Sequence, residues 1–298
     1  MKPAAFDYLQ PASVSEALQA LAGSGGDAKI LAGGQSLVPL LNFRMLHPAL
    51  LIDINGLEEL RFLRVDAEGA LRIGALTRHA TLETSPLVKE RLPMLSAAMG
   101  HVAHLAIRNR GTIGGSLCHA DPAAELPMMM VLLDAEIHTR TPDRERRHAA
   151  EAFFEAPLTS IVEEDEIVTE VAVPALPEGV GWGFEEFALR RGDFAIAAVA
   201  AILQLRDGQV AQARVAAMGV GPTPLRLHAT ERSLTGEPWS DAAVRRAAEA
   251  ARAEVEPDSD LKASADYRRH LVRALTERCL VAAGPDSAGA PALRRGRP

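Results

Sequence analysis

Two glycine turns limit what this chain can become: LAGGQSLVP over residues 31–39, and the longer IRNRGTIGGSLCHADPAAELP over residues 107–127. Glycine has no Cβ, so it reaches left-handed backbone cheaply and lets a main chain approach a ligand closely. Successive N–H groups in such a turn form a concave anion site. A helix starting beside the turn adds the positive end of its dipole. Gly33-Gly34 ahead of Ser36 and Gly114-Gly115 ahead of Ser116 both have this form. One GG pair alone reads most simply as a tight turn. Two, with Ser36, Thr112, Ser116, Asp121 and Glu125 beside them, predict a dinucleotide whose phosphates are held by two separate loops. The single-loop solutions are absent. There is no GxxxxGK[ST], and residues 111–116 read GTIGGS, which breaks the G-x-G-x-x-G spacing.

Other chemistries find little support. No GxSxG elbow occurs, so Ser36 and Ser116 do not read as nucleophiles. Nine histidines contain no HExxH, and His101 and His104, three apart, lack a third ligand. Cys118 and Cys279 are the two cysteines, too few for a four-thiolate iron–sulfur or zinc site. With no disulfide framework, a reducing cytoplasm is expected. Met128, Met129 and Met130 read as core packing. A formal net charge of -7 speaks against a nucleic-acid surface, and it means an anionic ligand must be drawn in locally by N–H groups and arginines. The start, MKPAAFDYLQ, has no apolar h-region. No apolar run reaches the ~20 residues of a membrane span.

The 298 residues suffice for two domains with sizeable cores. A strand over 6–9 is expected, then a helix capped by Ser13 with Glu16 three residues on, stopped at Gly23. A strand over 29–31 feeds the first glycine loop, 36–45 turns helical, and 50–54 is a buried strand. A second unit has a strand at 71–73, short helices at 79–84 and 86–90 capped by Thr77 and Thr81, and a helix over 92–102. It continues through an apolar run at 126–133, a strand at 136–139, a charged turn at 140–148, and segments at 152–154 and 167–173. Val173-Pro174 marks the domain boundary. Beyond it, 182–189, 195–205 and 210–218 read as a three-stranded antiparallel sheet, with Asp207-Gly208 as a hairpin turn. Helices follow at 240–255 and 266–281. The end of the chain, 286–298, reads as a disordered tail.

Three of these segments, AGGQSLVPLL (32–41), RNRGTIGGSLCHADPAAELP (108–127) and RRGDFAIAAVA (190–200), resemble in this order the FAD-binding medium subunit of molybdenum hydroxylases, the xanthine dehydrogenase and aerobic carbon monoxide dehydrogenase family. The resemblance runs from about Phe6 to about Ala283. It implies an α+β fold: a two-subdomain FAD-binding domain of the PCMH type over 1–174 (subdomains about 1–56 and 57–174), then a C-terminal domain of antiparallel sheet and helices over 175–285. It implies FAD contacts from Ala32, Gly33, Gly34, Gln35, Ser36 and Leu37 in the first loop. In the second it implies contacts from Gly111, Thr112, Ile113, Gly114, Gly115 and Ser116.

Lys29 reads either as reaching a phosphate or the adenine ribose, or as a strand-edge lysine. His119 reads either as a flavin contact or as a hydrogen-bonded structural histidine. Asp121 and Glu125 are either acids at a helix start or acceptors for ribityl hydroxyls, and the resemblance favours the second for Glu125. The resemblance also places Phe194 and Val168 on either side of the isoalloxazine ring. Many relatives carry lysine near Glu186, where this chain has glutamate.

The resemblance further implies that the chain needs no catalytic acid or base and no metal of its own. The molybdenum cofactor belongs to a large partner subunit and two [2Fe-2S] clusters to a small one, in a dimer of heterotrimers that passes electrons to an external acceptor. Two other readings remain: a free-standing FAD-dependent oxidase or reductase, and a non-enzymatic nucleotide-binding scaffold.

Overall fold

The computed structural model describes residues 2–285. The tail expected at 286–298 lies outside the described residues. The first unit runs β1 (Asp7–Leu9), α1 (Val14–Gly23), β2 (Ala28–Leu31), α2 (Leu37–Asn42), β3 (Leu50–Asp53), and its sheet is parallel in the order β1-β3-β2. The Ser13 hydroxyl accepts from Glu16 N at 3.1 Å, and Glu16 reaches back to Ala12 N at 2.7 Å. That is why α1 starts where it does. Its Val14, Ala17, Leu18 and Leu21, at helical spacing, are buried. Pro39 lies in the first turn of α2, where no N–H is needed.

The second unit contains β4 (Leu63–Val65), β5 (Leu71–Gly74), α3 (His79–Thr84), α4 (Pro86–Arg91), α5 (Pro93–Met99), α6 (Leu105–Arg108), α7 (Ile113–His119) and α8 (Glu125–Leu132). It closes with β6 (Glu136–Arg140), β7 (Glu145–Ala149), β8 (Phe154–Ala156), β9 (Thr159–Ser160) and β10 (Ile167–Val173). Five of these strands form an antiparallel sheet in the order β4-β5-β10-β6-β7. α8 is buried all round, methionines included, which explains why its apolar run shows no helical stripe.

The last unit is β11 (Val180–Phe187), β12 (Ala197–Arg206), β13 (Gln209–Met218), β14 (Leu225–Arg226), α9 (His228–Leu234), α10 (Asp241–Glu254) and α11 (Ala265–Ala283). In β12, Ala198, Ala200 and Ile202 face the core shared with α5 and α8. Ala197, Val199, Ala201 and Leu203 face the core shared with α10 and α11. A strand covered on both sides is apolar throughout, as AAVAAIL is. Asp207 and Gly208 both have positive φ, +51° and +76°, as a tight hairpin requires.

Several expectations need correcting. The third sheet has four strands, because two residues of β14 pair with β13. The helix expected over 92–102 ends at Met99. Thr77 and Thr81 do not cap α3 and α4; Arg78 and Ser85 precede those helices, without a side-chain cap bond. The charged turn after β6 is mostly β7, whose exposed polar positions alternate and so carry no apolar signal. Among the described residues no helix is long and apolar enough to cross a membrane.

Candidate functional site

The two glycine loops meet. Gly33 packs on the backbone of Arg110 and Gly111; a Cβ on it would come 2.9 Å from Gly111 Cα. Gly34 has φ +72°, the left-handed conformation that favours glycine. Gly114 packs on Ala75, where a Cβ would meet the alanine Cβ at 2.8 Å. Gly111, Gly114 and Gly115 do not have positive φ, so in the second loop glycine supplies close approach alone.

The loops also differ in their free donors. In the second, Gly111 N donates to Ile107 O (2.7 Å), Ile113 N to Thr77 O (3.0 Å), Gly114 N to Ala75 O (2.9 Å) and Ser116 N to Thr112 O (3.0 Å). Gly115 N donates to the Thr112 hydroxyl at 3.2 Å. α7 therefore begins at Ile113, capped by Thr112, and both glycines lie inside its first turn. The expectation that both loops offer bare N–H groups to phosphates does not hold. In the first loop, the N–H groups of Gly33, Gly34, Gln35, Ser36 and Leu37 have no acceptor among the described residues. Successive unpaired donors around a left-handed glycine are an anion nest.

Arginines flank that nest. Arg78 donates to Arg110 O and, at 2.7 Å, to Asn55 Oδ1. Asn55 Nδ2 donates in turn to Ala32 O at 2.7 Å. Burial, then the charges of Arg110 and Arg61, hold the Arg78 guanidinium below its ordinary value. Such crowding of cations is relieved by an anion between them. Asp53 sits below this cluster. Burial works against its charge, but hydrogen bonds from Tyr8 and Asn55 hold it below the usual carboxylate range. Asn55, Arg78 and Asp53 were not legible as site residues, because their partners come from other segments of the chain. His79 backs the second loop. Its Nε2 lies 3.0 Å from Thr112 O, and burial holds it at about 4, so the ring is neutral.

The remaining candidates are spread more widely. Lys29 is exposed on β2. Ala32 borders Gly115, and Gln35 Nε2 turns back onto Gly33 O at 3.0 Å. His119 ends α7, half-buried. Asp121 accepts from Ala123 N at 2.9 Å, shaping the turn into α8. Glu125 is the first residue of α8; burial, then the charges of Glu186 and Asp121, push it up to about 8. Val168 is in the main core, 4% exposed. Phe194 is 58% exposed on the β11–β12 connection, with Lys262 Nζ 5.9 Å from its ring centroid. The structure thus joins the two loops, and groups Asp121 and Glu125 with Glu186. It leaves Lys29 and Phe194 at the surface and Val168 inside.

Residues 4–176 match the family model of the FAD binding domain in molybdopterin dehydrogenase, and residues 182–283 that of the CO dehydrogenase flavoprotein C-terminal domain. The alpha subunit of the 6-hydroxypseudooxynicotine dehydrogenase complex of Paenarthrobacter nicotinovorans is 44% identical, over 100% of this chain and 98% of its own length. The medium chain of carbon monoxide dehydrogenase from Hydrogenophaga pseudoflava is 38% identical, over 95% of this chain and 98% of its own. In solved structures, a chain of carbon monoxide dehydrogenase from the same organism superposes with a TM-score of 0.92 at 39% identity, covering 95% of this chain and 98% of that one. A chain of quinoline 2-oxidoreductase from Pseudomonas putida 86 also gives 0.92, at 36% identity, covering 97% and 100%. A chain matched on both sides of residue 180, and along nearly its whole length by such relatives, belongs to the family of FAD-binding medium subunits of the carbon monoxide and xanthine dehydrogenases.

Proposed function

We propose that this chain is the electron-transfer subunit of a molybdenum hydroxylase. In that role it holds FAD, which takes electrons from [2Fe-2S] clusters on a small partner subunit and passes them to an external acceptor. Substrate oxidation belongs to the molybdenum cofactor of a large partner subunit, and the assembly is a cytoplasmic dimer of heterotrimers. The FAD-binding domain occupies 1–174 and the C-terminal domain 175–285.

The observation that carries the reading is the run of unpaired N–H groups from Gly33 to Leu37. It lies against a second wall whose own donors are satisfied and which Arg78 and Arg110 flank. This fits a diphosphate: the nest binds the anion, the arginines balance it, and Thr112 and Ser116 offer hydroxyls. FAD supplies the two-electron chemistry. The protein contributes position and electrostatics. The acidic Asp121–Glu125 turn suits the uncharged ribityl chain, and Phe194 supplies an aromatic at the surface through which electrons leave. Ala32, Gln35, Leu37, Lys29, His119 and Val168 are assigned to the same site on the family resemblance.

The test compares the FAD-loaded chain alone with the chain expressed beside its two partner subunits. Caffeine, nicotine and quinoline, drawn from the names of relatives, are a first substrate panel. A substrate should bleach the flavin only in the assembly. Bleaching of the isolated chain would overturn the reading in favour of a free-standing flavoenzyme.

A further inference from the structure

Asn55, which ties the first loop down, stands directly before a glycine. The chain has three asparagines, and the other two, Asn42 and Asn109, precede Phe43 and Arg110. An asparagine followed by glycine is the pair most open to attack on itself. The backbone nitrogen of the next residue closes a five-membered ring with the side-chain carbonyl carbon, and glycine has no Cβ to block the approach. Here the glycine is also accessible. Gly56 is exposed, and a Cβ built on it would meet only Gln10 Nε2, at 3.6 Å.

Asn55 and Gly56 belong to one short 3-10 turn, Ile54–Gly56. Both ends of the Asn55 carboxamide are engaged. Nδ2 donates to Ala32 O at 2.7 Å and to Asp53 Oδ1 at 2.6 Å, and Oδ1 accepts from Arg78 Nη2 at 2.7 Å. Arg61 Nη2 donates to the Asn55 backbone carbonyl at 2.9 Å. A carboxamide held at both ends cannot swing its carbon onto Gly56 N, so these bonds must open first. Ala32 O, the acceptor, is at the base of the loop whose amides 33–37 are unpaired. A single turn beside such a loop opens locally at low free-energy cost. An anion on those amides binds the closed state alone and makes opening rarer.

The product does not fit the closed site. An aspartate at 55 keeps one oxygen for Arg78, but its other oxygen stands where the N–H now serves Ala32 O and Asp53 Oδ1. Two carboxylates then face each other, and Ala32 O loses its donor.

We propose that Asn55 is a site of spontaneous deamidation controlled by the occupancy of the first loop. With the loop empty, Gly56 N bonds to Asn55 Cγ, the Cγ–Nδ2 bond breaks, and ammonia leaves with the Gly56 amide proton. Water then opens the cyclic imide at either of its carbonyls, giving aspartate or isoaspartate. No oxidant, reductant or second reactant takes part. Control by the cofactor rests on the reading of the chain as an FAD carrier; the modification itself does not. The turn acts as a slow timer: a copy left without cofactor gradually loses the tie that seats it.

The experiment uses the full-length chain freed of flavin and kept for some days in mildly alkaline buffer, with and without added FAD, beside a sample unfolded in urea. Mass spectrometry follows the peptide that contains Asn55 and Gly56, which gains a single mass unit on deamidation and rehydration. The empty folded chain should convert several-fold faster than the loaded one, with Asn42 and Asn109 unchanged. Gly56→Ala should bind FAD as the parent does and convert several-fold more slowly. In the aged parent, the fraction that no longer binds FAD should match the modified fraction. Asn55→Asp should bind FAD more weakly by roughly tenfold or more. An empty folded chain that stays unmodified while the urea sample converts overturns the proposal, and so do equal rates with and without FAD. If Asn55→Asp does not fold, an aged parent that is modified and still binds FAD in full overturns it. A fresh parent that takes up no FAD overturns the FAD reading instead, and its flavin content tells that failure from the others.

Discussion

Gly192 lies against Ala103: a Cβ on Gly192 would come 2.8 Å from Ala103 O. Arg108, at the start of the second glycine motif, donates to that same oxygen at 3.2 Å and pairs with Glu83 at 2.7 Å. The connection bearing Phe194 is therefore seated on the segment that leads into the second loop. Gly192→Ala meets both this contact and a φ of +85°. The left-handed conformation alone costs an alanine about 1–2 kcal/mol. Each kcal/mol lowers the Tm of a domain this size by about 2–4 °C. Calorimetry should show at least that loss, with reoxidation of the flavin altered as well. Phe194→Ala should leave Tm and FAD content unchanged and alter reoxidation alone.

Gly33→Ala tests close approach without strain, since Gly33 does not have positive φ. Its Cβ would push the two loops apart at Arg110 and Gly111. The FAD dissociation constant should rise at least tenfold, about 1.4 kcal/mol. Gly25→Ala is the control: it has φ +60° but open space around the new atom, so it should cost stability and leave FAD affinity unchanged. Equal affinity in Gly33→Ala and the parent would remove the two loops from the site.

Arg78 ties Asn55 to Arg110, and so the first loop to the second. Arg78→Ala should weaken FAD binding by roughly tenfold or more, the value of a charge-assisted hydrogen bond lost. Arg78→Lys should not restore it, because one ammonium cannot reproduce the two-way fork. Fluorescence titration of the apo chain reads both. Full rescue by lysine would reduce the role of Arg78 to bare charge.

The acid limb of stability should depend on Glu166. Burial opposes its charge, but hydrogen bonds from Arg146, Thr139 and Glu163 N hold it at about 2, below the ordinary 4.5. A carboxyl depressed in the folded state stabilises above its unfolded value and loses that contribution as pH falls towards the folded one. Tm of the parent should therefore drop as pH goes from about 4.5 to 2. In Glu166→Gln the drop should be shallower over that window and Tm lower at pH 7. Parallel curves would show that Glu166 contributes nothing to the acid transition.

The contiguous patterns were legible in the sequence. Ser13 with Glu16 and the GG pairs are local patterns set within a single turn. Asp207-Gly208 is legible for the same reason. What escaped depends on distant partners. Asn55 and Arg78 look like ordinary surface residues until the fold brings Ala32 and Arg110 to them. Glu186 sits on a strand whose neighbours do not mark which face is covered, and α5, which packs on that strand, comes from a distant segment. The role of the second loop was misjudged because Ala75 and Thr77, which take the Gly114 and Ile113 amides, lie far away in sequence, while Thr112 takes those of Gly115 and Ser116.

That sharing of donors bears on how the cofactor can come and go. Amides 113–116 are bonded within the chain, and amides 33–37 are left to water when no ligand is present. In deuterium exchange of the apo chain, the first group should exchange slowly and the second fast, with loading slowing the second alone. One wall is a finished mould and the other a hydrated surface that the phosphates dry. An emptied chain would then keep its mould and take FAD again without refolding, so the flavin behaves as an exchangeable part and not as the nucleus of the fold.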